Sequence, residues 1–250
     1  MTVRSESELI EEIERLQAEL ARREQESADK ERQLERYAAD LRETFKQERA
    51  RAQELRESYV ATVRALSNAV EARDAYTQKH AERVAAYGLE IARALEVNLA
   101  EMPEIEFGFL LHDIGKVAIS DRILFKPREL SPLEREQMME HPVKGAEIIR
   151  DIGFLGAAAL VVRSHHERWD GTGYPDGLAG EDIPIAARVF AVADVLDALT
   201  TDRPYRPASA LTLARAMITD ESGSHFDPDV VRAFNLIPDE TFEQIRAGIE

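Results

Sequence analysis

Apolar residues recur every three or four positions along the first sixty residues, at Leu9, Ile13, Leu16 and Leu20 and again at Leu34, Tyr37 and Leu41. That spacing is the seam of a coiled coil, not the alternation of a strand. The seam weakens at Arg23, Ser27 and Lys30, then slips by four residues from Leu41 to Phe45 before Ala52, Leu55 and Tyr59 resume it. A stutter of this kind locally unwinds a supercoil. The first Gly is Gly88 and the first Pro is Pro103, so the helix is expected to continue without a break before Gly88. A single solvated helix is the alternative. A parallel or antiparallel dimer is the better reading, because an isolated polar helix gains little by itself.

Beyond residue 60 the pattern becomes that of an all-α globular domain. Val70, Val84, Tyr87, Ile91 and Leu95 mark one face of a helix ending near Asn98. Further apolar helices are predicted over 104–112, 132–140, 143–151, 154–168, 185–200, 208–219 and 228–235, with strand-type alternation almost absent. The stretch DGTGYPDGLAGEDIP, residues 170–184, is dense in Gly, Pro and Asp and predicts an ordered loop. Two regions follow: a coiled-coil dimerisation or signalling helix over 1–60 and a globular domain over 61–250.

Composition narrows the chemistry. Among 250 residues there is no Cys, which excludes disulfides, thiolate metal sites and cysteine nucleophiles. A transition metal would have to sit on imidazole and carboxylate. The net charge of −16 argues against a nucleic-acid polymer or an anionic membrane surface. It leaves room for a small anionic ligand, since bound cations override the global field locally. The N-terminus carries acids where a signal peptide needs an apolar stretch, and the longest apolar run, Gly153 to Val162, is about half a membrane span. A cytoplasmic protein with no membrane insertion is expected.

Six histidines are present, and five of them fall at positions that suit metal ligation. His80 lies at helical spacing with Val84, Tyr87 and Ile91, so it points into the core; alone, it would more often be a hydrogen-bonded core residue. His112 and Asp113 follow the apolar run FGFLL, and Gly115 fits a helix C-terminus. The two oxygens of Asp113 could bridge two cations. His141 precedes Pro142, which biases it to an extended conformation; a capping or surface role is its bland alternative. His165 and His166 end an apolar helix beside the Gly-rich loop, where adjacent histidines can grip one ion or simply face solvent. Asp194 sits in IPIAARVFAVADVLDALT, apolar on nearly every side, so it is expected to be buried. An ionised carboxylate there costs several kcal/mol, roughly, unless paired or bound to metal. Asp197 shares the problem, resolved by helix-end exposure or a substrate contact.

These residues lie in blocks, YTQKHAERV, LLHDIGKVAI, ILFKPREL, EHPVKGAEII, HHERWDGTGYPDGL, IPIAARVFAVADVLDALTTDRPYR and FDPDVV, that resemble the HD-GYP family of the HD phosphohydrolase superfamily in order and spacing over about residues 72–235. The resemblance implies an HD-type helical domain that hydrolyses cyclic di-GMP, to pGpG or GMP, at a divalent metal centre. It implies one metal on His80, His112, Asp113 and Asp194, with Asp113 bridging to a second on His141, His165 and His166. Lys116 would touch a phosphate oxygen and the bridging hydroxide; Tyr174, Asp197, Arg203 and Arg206 would contact the dinucleotide, Asp197 by receiving guanine N–H groups. Iron or manganese is the family's leaning, with zinc, nickel, cobalt or magnesium open. Some members use a glutamate four residues before the first histidine for a third metal; here that position is Tyr76, which favours two. Arg206 stands where some relatives have lysine. The N-terminal segment lacks a recognisable receiver or ligand-sensing domain, so the family's usual sensory input is not read in this sequence, and a signalling protein partner is left open. Another cyclic dinucleotide or phosphoester, or a non-catalytic signalling module, are the alternatives.

Overall fold

The structure is a computed structural model that describes residues 6–73, 79–97, 104–202 and 207–249. Among the described residues there is no named strand, and the architecture is all-α as expected. Two compact units divide it, Met1–Ser58 and Tyr59–Glu250. The described residues of the first, 6–58, lie within α1, Glu6–Glu71. Its seam residues stand in water: Leu16 is 51 % exposed, Leu34 67 % and Phe45 67 %.

In the second unit the last turns of α1 become part of a core. Val63, Ser67 and Val70 are buried at helical spacing. Tyr59 stacks on Phe154 with ring centroids 4.1 Å apart. The chain continues through α2, His80–Ala94, and α3, Glu104–Leu110. Next come a 3₁₀ turn, Ile114–Ala118, then α4, Asp121–Leu124, and α5, Pro132–Met138. α6, His141–Ile149, and α7, Ala158–Ser164, form a packed pair, and α6 also rests on the 3₁₀ turn. A loop leads to α8, Ile185–Thr200, followed by α9, Leu211–Asp220, α10, Pro228–Leu236, and α11, Asp239–Ile249. α8 is buried along most of its circumference, as its apolar sequence requires, and packs on α2, α7, α9 and α10. Phe109, Phe190, Phe234, Val84, Ile91 and Leu196 fill the space between these helices.

Three expectations are corrected. The first helix does not run on to Gly88: α1 ends at Glu71 and α2 starts at His80. Lys79 has φ 60 and ψ 14, a left-handed conformation that no continuous helix can contain. His141 is not extended; it opens α6, with Pro142 in the first turn, where its missing N–H costs nothing. The helix expected over 154–168 is shorter, because its first residues are turns and it stops at Ser164.

Candidate metal centre

Five segments deliver the chemistry-bearing side chains: the start of α2 (His80), the turn after α3 (His112, Asp113), the start of α6 (His141), the end of α7 (His165, His166) and the middle of α8 (Asp194). They form two groups, each able to hold a metal ion, His80–His112–Asp194 and His141–His165–His166. Within each group the ligand atoms lie within 4.8 Å of one another. Asp113 spans the two. Its Oδ1 is 3.3 Å from His141 Nε2, and its Oδ2 is 3.1 Å from His112 Nε2 and 2.8 Å from Lys116 Nζ.

Gly115 makes this convergence possible. A Cβ there would stand 1.9 Å from the His141 carbonyl oxygen and 2.6 Å from Gly145 N. Glycine is needed for this backbone-on-backbone contact, which seats the Asp113–Lys116 turn against the start of α6. It lies within a 3₁₀ turn, not at the helix C-terminus that its position suggests.

Backbone carbonyls set the histidine tautomers. His112 Nδ1 donates to Phe109 O at 2.9 Å, His141 Nδ1 to Met138 O at 2.9 Å and His165 Nδ1 to Val162 O at 2.7 Å. Each leaves Nε2 aimed into the centre. Burial and the neighbouring rings push His165 well below the usual imidazole range, so its Nε2 presents a lone pair. His141 Nε2 faces it at 3.2 Å, and the two nitrogens must share a proton or a cation. Two imidazole nitrogens bound to one ion at about 2.1 Å are about 3.0–3.4 Å apart for angles from square to tetrahedral. The donor set fits a divalent cation. Burial and His141 bring His166 down to about 4.

His80 is held differently. Its Nδ1 lies 2.7 Å from Asp197 Oδ2 and its Nε2 3.3 Å from Asp194 Oδ1. Burial works against its charge, but hydrogen bonds to Asp194 and Asp197 outweigh it and carry the ring up to about 10. Burial would also raise Asp113; His112 and Lys116 overcome it and hold the carboxyl well below the usual range. Asp194 is lowered in the same way by His80.

The two α8 carboxylates exchange their expected surroundings. Asp194 keeps 31 % of its side chain exposed, whereas Asp197 is 2 % exposed. Asp197 also accepts from Arg83 Nε at 2.6 Å and Nη2 at 3.1 Å. It therefore sits behind His80 and orients it. Arg83 was missed in the sequence; an arginine one turn after a core histidine, on the same buried face, was the available signal.

Tyr174 lies in the loop after α7. Its ring stacks on His166 with centroids 4.7 Å apart and an interplanar angle of 25°. Burial and Asp113 push its phenol up to about 12, so it stays a donor at neutral pH. Arg203, Arg206 and Tyr76 lie outside the described residues.

Residues 64–230 match the family model described as HD domain. The chain is 41 % identical over 182 residues to the cyclic di-GMP phosphodiesterase response regulator RpfG of Xanthomonas campestris pv. campestris, covering 72 % of this chain and 48 % of that one. It is 39 % identical over 198 residues to the 3'3'-cGAMP-specific phosphodiesterase 2 of Vibrio cholerae, covering 78 % and 38 %. The chain thus spans less than half the length of either relative. A crystal structure of a cyclic GMP-AMP specific phosphodiesterase from V. cholerae superposes with a TM-score of 0.54 at 22 % identity, covering 74 % of this chain and 53 % of that one, and shares its fold.

Proposed function

This chain belongs to the HD domain family, and from that premise we propose that it is a metal-dependent phosphodiesterase acting on cyclic di-GMP. The observation that carries the reading is the Asp113 carboxylate, whose two oxygens reach toward the two ligand groups separately. We assign His80, His112, Asp113 and Asp194 to one ion and Asp113, His141, His165 and His166 to the other. Nitrogen and oxygen donors without thiolate suit iron or manganese. Two divalent cations supply, when bound, an acidified water as nucleophile and charge neutralisation at the phosphorus.

The protein's own groups do the rest. The carbonyl-bound Nδ1 hydrogens keep each Nε2 turned inward. Lys116, on Asp113, can donate to a phosphate oxygen as charge builds in an in-line displacement. Tyr174 holds the face of His166 and offers its phenol to the ligand. Cleavage of one phosphodiester would give pGpG, and of both, GMP.

Relatives named for cyclic di-GMP and for 3'3'-cGAMP both resemble this chain, so the test includes both dinucleotides. Protein loaded in turn with iron(II), manganese(II) and zinc(II) is expected to hydrolyse cyclic di-GMP faster than 3'3'-cGAMP. Asp113→Ala should abolish the activity. No hydrolysis of either with any of the three metals would sink the enzyme reading, and preference for 3'3'-cGAMP would move the substrate.

We further propose that residues 1–60 form a homodimeric coiled coil. The exposed seam from Leu9 to Leu55 supports it, since each of these side chains would leave water in a dimer.

A further inference from the structure

Immediately after the two adjacent histidines stands a carboxylate to which the sequence gives no role. Glu167 is 3 % exposed. Its Oε1 accepts the backbone N–H of Asp176 at 2.8 Å and of Gly177 at 3.1 Å, and its Oε2 accepts that of Leu178 at 3.1 Å. A carboxylate buried this deeply is tolerated because its charge is met by donors, and here all three come from one stretch of loop backbone. The same loop crosses back over Glu167 itself. A Cβ on Gly173 would lie 2.5 Å from Glu167 Cα and 2.4 Å from Arg168 N. Between these two attachments is Tyr174, whose N–H donates to His166 O at 3.2 Å and whose ring lies on the His166 ring. From outside, Arg163 grips Asp176 through Nε and Nη2 at 2.6 and 2.7 Å.

We infer that Glu167 is a positioning residue for substrate binding: the loop is folded around its carboxylate, and this holds Tyr174 preformed against His166. The inference rests on the phosphodiesterase reading, and it concerns the loop rather than the ions. Glu167 belongs to neither ligand group and makes its bonds to backbone N–H groups, so its loss should loosen Tyr174 while leaving both ligand groups in place. Substrate would then have to order the loop on binding, which raises KM more than it lowers kcat.

Glu167→Gln tests this directly. The amide keeps one acceptor oxygen and turns an NH₂ toward a backbone N–H that has no other partner in the clamp. The expected result is a KM for cyclic di-GMP raised about tenfold, the scale of losing one N–H bond to a charged acceptor, with a smaller change in kcat and unaltered metal content. Trp169 is the sole tryptophan and lies two residues away, its N–H on His225 O and its carbonyl on Gly180 N. Acrylamide should quench it more strongly in the variant. The double variant Glu167→Gln with Tyr174→Ala should bind no worse than Tyr174→Ala alone, because Glu167 acts through Tyr174. If Glu167→Gln fails to fold, Glu167→Asp, which keeps both oxygens on a shorter stem, is read the same way. An unchanged KM with unchanged Trp169 quenching, or effects that add fully in the double variant, would overturn the inference. Wild-type protein inactive on cyclic dinucleotides would instead remove the phosphodiesterase reading, and the quenching comparison alone would then decide the clamp.

Discussion

His80 and His166 sit in the same centre yet hold protons in opposite ways. Two carboxylates face His80 and carry it up to about 10, so in metal-free protein it is protonated at neutral pH. His166 is brought down to about 4 by burial and His141, and His165 is also lowered, so both are neutral there. An ion entering the His80 group must therefore displace a proton from its imidazole, whereas His165 and His166 are already neutral. The sign follows. As pH falls from 8 to 6, affinity at the His80 group should drop by about tenfold per unit, more steeply than at the group that contains the already neutral His165 and His166. Chelator competition at several pH values measures this, and loss of both ions together would contradict it. The residues that the fold gathers into the two groups were legible in the sequence because each stands in a distinctive block. Their partners were less so. Asp197 reads as a helix-end carboxylate until α2 is packed on α8 and His80 and Arg83 arrive from more than a hundred residues away.

Helices and their faces were read well wherever apolar periodicity was strong, as in α2 and α8. Boundaries set by backbone conformation were not. Nothing in the composition around Lys79 marks a left-handed residue, so the end of α1 was invisible. Once ended there, α1 holds the centre from behind. Ser67 Oγ donates to Leu110 O at 2.7 Å, and Ala81 N donates to Glu71 Oε1 at 2.7 Å. Those two bonds fix the backbone just before His112 and at the start of the His80 helix. The apolar row along the first part of the same helix is exposed, and the coiled coil proposed from it is a matter for experiment. Removing residues 1–60 is expected to convert a dimer to a monomer by light scattering; an unchanged oligomeric state would contradict the coiled coil.

On the scale of the whole chain, a net charge of −16 and the proposed anionic substrate look opposed. The centre resolves this locally through Lys116 and the ions that its carboxylates and imidazoles would hold. No described helix is long and apolar enough to cross a membrane. With seven proposed ligands on five segments, joined by one carboxylate, the metal count is the deciding quantity. Elemental analysis of reconstituted protein, after excess metal is removed, measures it directly. About two divalent ions per chain are predicted, falling below one in Asp113→Ala as both groups lose their shared ligand. A wild-type protein that retains no ion with iron(II), manganese(II) or zinc(II), or retains only one with each, would contradict the two-ion centre.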